Sequence, residues 1–211
     1  MCDYNNSMGY SKILRSSCFL FFFLCFSVRL LGNIYTDDPD LIFGDHERTG
    51  ASLISTVYDQ VNKIKDDPFN LYFEKKTFFS GVFFLSKLYL VDLPVAYYLM
   101  IVQHEIFGHG SAFRRLGLPN REYYIALPFP YGEGDGWASY SGGAGLTYYD
   151  EQYINYSGSM SNLILSNHLL RKAIQKEYFS PSDFLFYYLS YLEGPGYILT
   201  TPLDLSASDG H

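Results

Sequence analysis

Cysteine is nearly absent: Cys2, Cys18 and Cys25 are the only three in 211 residues, all near the N-terminus. That excludes a disulfide framework and any Cys-x-x-Cys metal site, so a metal would be held by histidine and carboxylate. Positive charge is also scarce. A net charge of −7 leaves no overall basic face to neutralise phosphates, which argues against a nucleic-acid partner. There is no internal repeat, and no glycine-rich loop followed by Lys-Ser or Lys-Thr to cradle a phosphate. An uncharged run of roughly 20 apolar residues, the length of a membrane-spanning helix, is missing too. Arg29 interrupts the first apolar stretch, and Lys87 and Asp92 lie inside the second.

What is abundant is apolar and aromatic bulk, 48% hydrophobic and 19% aromatic with 21 Tyr and 18 Phe. Such a chain has a large core or surfaces at a membrane–water boundary. Residues 1–32 read as a signal or membrane anchor segment: Lys12 and Arg15 precede the run CFLFFFLCFSV at 18–28. This implies a membrane location with lipid as a partner, or secretion after signal-peptide cleavage. Residues 33–77 read as a polar linker (NIYTDDPDLIFGDHE over 33–47) followed by an amphipathic helix. Leu53, Ile54, Val57, Val61 and Ile64 predict that helix over 51–65, with Asp66-Asp67-Pro68 ending it.

Residues 78–199 form the expected helical metal-site domain, and 200–211 a tail. The apolar segment 78–102 reads either as a broken membrane helix or as two buried helices, with Pro94 as the kink. Lys87 and Asp92 are five apart, too far round an α-helix for an ideal pair. Arg114, Arg115 and Arg121 follow the segment, and by the positive-inside rule they would place its end near the cytoplasmic face.

At that end stands Gln103-His104-Glu105-Ile106-Phe107-Gly108-His109-Gly110. The familiar zinc motif H-E-x-x-H puts histidines at i and i+4 on one helix face. Here they are at i and i+5, about 140° apart on a regular α-helix. A one-residue π-bulge would restore a common face, and Gly108 is the expected place for the distortion. His104 and His109 would then bind Zn2+, and Glu105 would be the catalytic base toward water activated by the metal. The hexapeptide HEIFGH resembles the H-E-x-x-G-H signature of the dipeptidyl-peptidase III family of zinc peptidases, which implies that the longer spacing can work. Its place on an apolar helix is similar to that in the site-2 protease type of intramembrane metalloprotease, whose own spacing is the shorter one.

A catalytic zinc site needs a third protein ligand. His168, on a helix predicted over 157–176 and capped by Ser157 or Ser159, is the first choice, Glu151 the second and Glu193 the third. Residues 127–145 (LPFPYGEGDGWASYSGGAG) read as a turn-rich flap in which Glu133 and Asp135 could approach a metal. Residues 184–199 read as helix broken by a turn at Glu193-Gly194-Pro195-Gly196. The expectation is a mainly α, membrane-associated protein with a zincin-like metal-binding helix. It would act as a zinc metallopeptidase on a peptide or protein substrate. The rival is a non-catalytic membrane protein whose His-Glu-His cluster is structural or degenerate.

Overall fold

The computed structural model describes residues 34–37, 46–72, 78–142 and 145–200, with side chains described over 46–63, 80–142 and 145–196. Residues 1–32, expected to be a signal or membrane anchor segment, lie outside the described residues. The chain is mainly helical, as expected. After strand β1 (Ile34–Asp37) come helices α1 (His46–Tyr72) and α2 (Phe78–Lys87). A π-helical segment, Leu88–Asp92, joins α2 to α3 (Leu93–Val102). A second, Gln103–His109, joins α3 to α4 (Gly110–Arg115), so that 78–115 is one continuous helical rod. Strands β2 (Glu122–Ile125) and β3 (Gly136–Ser139) follow, then α5 (Tyr148–Lys176) and α6 (Pro181–Thr200).

The sheet was not expected. β1, β2 and β3 form an antiparallel sheet in that order, with Ile34 opposite Ile125 and Tyr124 opposite Trp137. The segment read as a linker supplies β1, and the segment read as a flap supplies β3. Each of these strands is only four residues long, too short a pattern to stand out beside the acids and glycines. Tyr123 and Ile125 are fully buried under the helices.

The helices bury different stripes from those the apolar spacing suggests. In α1 the inward face is Ala51, Ile54, Ser55 and Tyr58, while Leu53 and Val57 point outward. The helix also continues through Pro68, because a proline only biases the preceding residue away from helix. The cap of α5 is neither Ser157 nor Ser159, both buried within the helix. Thr147 caps it, accepting from Asp150 N while the Asp150 carboxylate accepts from Thr147 N. The face that α5 buries is Ser157, Gly158, Ser159, Ser161, Asn162, Leu165, Ser166 and Leu169, with Leu170 and Ile174 exposed. Small side chains let backbones approach closely. α6 runs on through Pro195, so the expected turn at 193–196 is absent. The core joins Ala51, Ile54 and Tyr58 to Val95 and Leu99, Leu165 and Leu169, and Phe186.

The rod Ser80–Arg115 is long and apolar enough to cross a membrane, but 56% of its most apolar window is buried inside the protein. The two readings of 78–102 therefore divide along it. Over 93–102 it is a core helix, whereas Val82, Phe84, Leu85 and Tyr89 are exposed.

The first π segment overturns the expectation for Lys87 and Asp92. Its i→i+5 hydrogen bonding, Leu93 N–H to Leu88 O, brings residues five apart onto one face. Lys87 Nζ lies 2.9 Å from Asp92 Oδ2, and Ser182 Oγ donates to the same oxygen at 2.7 Å. Asp92 is wholly buried. Pro94 has no N–H for the Leu90 carbonyl four residues back, and the Tyr131 hydroxyl donates there instead at 2.6 Å. Removing one partner of a buried pair strands the other charge. Lys87→Met should therefore cost about 3–5 kcal/mol in denaturant unfolding, and Lys87→Met with Asp92→Leu should recover part of the loss.

Candidate metal centre

The second π segment does for the histidines what the first does for Lys87 and Asp92. Gly110 N–H reaches back to Glu105 O, an i→i+5 bond. The Ile106 carbonyl accepts from Arg114 Nη2 at 2.9 Å. His104 and His109 consequently share a face, with their Nε2 atoms 3.1 Å apart. Two imidazole nitrogens bound to one tetrahedral zinc would be about 3.3 Å apart. The bulge expected from the spacing is present.

Gly108 lies within this π segment. None of the described residues of this segment has a positive φ, and the distortion is spread over Gln103–His109. Gly108 is needed for packing. A Cβ on it would lie 2.6 Å from Gly158 Cα, and one on Gly158 would lie 2.3 Å from His104 Nε2. The site helix and α5 cross at this glycine pair, and the His104 ring rests on Gly158. Gln103, fully buried, fixes the same crossing: its Nε2 donates to Ser161 Oγ at 2.6 Å, and Ser161 Oγ donates to Gln103 O.

Each histidine is held from behind through Nδ1. The Ile154 carbonyl, which can only accept, lies 2.8 Å from His109 Nδ1, so that nitrogen carries the proton and Nε2 a lone pair. Glu193 Oε1 lies 3.0 Å from His104 Nδ1 and accepts from it, leaving Nε2 as the nitrogen that faces His109. A protonated His104 donates from Nε2 to the His109 Nε2 lone pair at 3.1 Å, and a bound cation would take that proton's place. Carboxylate and carbonyl partners behind metal-binding imidazoles orient the rings and raise their basicity.

The titration of the four groups follows from burial and neighbours. Burial penalises charge on His104, but the Glu193 hydrogen bond and charge, aided by Glu105, outweigh it and raise its pKa. Burial, reinforced by the charge on His104, pulls His109 down to about 4 despite the Ile154 carbonyl. Glu105 is pushed up to about 7 by burial, with His104 opposing and Asp135 and Glu193 reinforcing the shift. Burial would raise Glu193, but the His104 hydrogen bond and charge, with Ser159 and Asn162, hold it below the usual value.

His104, Glu105 and His109 present donor atoms within 4.8 Å of one another, a group that can hold a metal ion. The three candidates for a further ligand are placed differently. His168 is outside this group, beyond Asn162 by six residues of α5, about 9 Å of helix. It sits beside Arg171, Lys172 and Asp59, and burial followed by the two cations lowers its pKa. Glu193 is behind His104 as its hydrogen-bond partner. Glu151 lines the cleft that opens beside Glu105 and His109. Spacing arguments missed the role of Glu193 because it stands 89 residues from His104 on a separate helix. Its one visible signal was a lone acid in an aromatic helix. No protein-family model, curated protein or solved structure matches the chain.

Two outcomes test this geometry. Glu193→Gln should weaken metal affinity about 10–100-fold by equilibrium titration while the protein stays folded. Gly158→Ala should weaken it at least as much by displacing the His104 ring, with a lowered unfolding midpoint.

Proposed function

We propose that the protein is a metal-dependent hydrolase that uses zinc to cleave peptide bonds. The observation that carries this reading is the pair of imidazole Nε2 atoms 3.1 Å apart, each backed through Nδ1. Zinc held there by His104 and His109 would supply a Lewis acid and lower the pKa of water. Glu105 is 7% exposed, next to the pair, and its pKa of about 7 suits a base that takes a proton from attacking water near neutral pH.

A peptide substrate is supported by β3, which borders the cleft. Ala126 N–H donates to Asp135 O, so Asp135 and every second residue after it bond toward β2. Ala138 therefore turns its backbone groups, and Gly136 its carbonyl, to the edge that no described strand covers, the Gly136 N–H being held by Asp135 Oδ1, and an extended chain can add there as a further strand. Side-chain bulk is excluded at Gly136, where a Cβ would lie 2.5 Å from Ile101 and 3.2 Å from Glu105.

Work at a membrane is supported by the exposed apolar side chains of Val82, Phe84 and Leu85 on α2. In this reading α2 anchors the protein and the metal centre lies within the folded body. The second reading, a non-catalytic protein, is favoured by one observation: among the described residues the metal-capable group contains two histidines and no third ligand besides Glu105.

The purified protein should contain about one zinc per chain, and His104→Ala or His109→Ala should lose it. Glu105→Gln should keep the metal and lose peptide turnover. Metal-free wild-type protein would refute the hydrolase reading, and undiminished turnover in Glu105→Gln would remove that residue from its role. Retention in the membrane fraction after carbonate washing tests the location.

A further inference from the structure

The cleft beside the candidate centre has a volume of about 530 Å³. Its floor is one face of the rod, Glu105, His109 and Phe113. One wall is β3 with Tyr140, and the other is Glu151, Ile154 and Asn155 from the start of α5. Carboxylates are its charged groups. No lysine or arginine is among the lining residues. The arginines that follow His109 are engaged elsewhere, Arg115 with Tyr153 and Glu47, and Arg114 with the Ile106 carbonyl.

Two features point to a ligand. Glu105 is 7% exposed, its side chain packs against Gly136 of β3, and its carboxylate makes no hydrogen bond or ion pair among the described residues. Glu151, at the exposed rim, has no side-chain partner among the described residues either. Tyr140 stands 4.9 Å from Phe113, centroid to centroid, and extends the aromatic series that begins with His109 and Phe113.

We infer that this cleft selects an extended peptide bearing a lysine or arginine side chain, with Glu151 as the specificity-determining carboxylate and the Tyr140 ring as the second contact. The inference rests on the peptidase reading and names the substrate class of that site. A lysine or arginine stem packs on an aromatic face while its charged head pairs with a carboxylate. An acidic side chain at the same place meets Glu151 with like charge. Ile154, between Glu151 and Asn155 on the wall, offers apolar surface to the stem.

The test uses the full-length Glu105→Gln protein loaded with zinc, so that binding is read without turnover. Short synthetic peptides, identical except for a central Lys, Met or Glu, are titrated by calorimetry. The Lys peptide should bind about tenfold more tightly than the Glu peptide, the sum of a cation–aromatic contact and an exposed ion pair. Glu151→Gln should erase that difference, and Glu151→Lys should reverse it. Equal affinities in the parent, or a preference that survives Glu151→Gln, would overturn the inference. Charge-selective binding by a wild-type protein without turnover would support the cleft assignment and refute the peptidase reading. Turnover indifferent to the charge would refute the cleft assignment alone.

Discussion

One geometric constraint underlies the molecule: an apolar rod must bring polar side chains five residues apart onto a single face. An α-helix cannot do this, and the rod changes to i→i+5 bonding twice. The first change pairs Lys87 with Asp92, which makes a buried ion pair tolerable in a hydrophobic core. The second faces His104 with His109. Both depend on help from elsewhere in the chain. Tyr131 donates to the Leu90 carbonyl and Arg114 to that of Ile106, so neither irregularity leaves these carbonyls without a donor.

The site then depends on how closely α5 approaches the rod. Gly108 lies against Gly158, and the serines of α5 occupy positions where larger side chains would hold the helices apart. This approach brings the Ile154 carbonyl within reach of His109. α6, packed against both, contributes Glu193 to His104. The two histidines thus face different partners, a neutral carbonyl and a carboxylate, and their proton affinities move in opposite directions. Burial supplies the remaining contribution by keeping the Glu105 carboxyl less acidic than it would be in water.

Much of this was legible in particular residues. The helical character of the chain, the interest of His104, Glu105 and His109, and the need for a π-bulge between the histidines all follow from composition and spacing. The failures have physical causes. Lys87 and Asp92 were judged on α-helical angles, although the bulge logic applied to the histidines applies equally to them. The inward face of α5 is small and polar while its Leu170 and Ile174 are exposed, so hydropathy is a poor guide to the side it buries. Strands β1 and β3 are four residues each within acidic or glycine-rich stretches, where periodicity has little room to register.

The sequence by itself determined the chemistry on offer: metal ligands restricted to histidine and carboxylate by the scarcity of cysteine, and one motif in which two histidines flank a glutamate. It also determined that the motif could work only if the helix changed its repeat, because that is a property of local spacing. Which groups stand behind each imidazole, which acid lines the cleft and which strand borders it were decided by the tertiary structure. Those partners come from α5, α6 and β3, tens of residues away. No local pattern encodes the distance between elements that meet only when the core is packed.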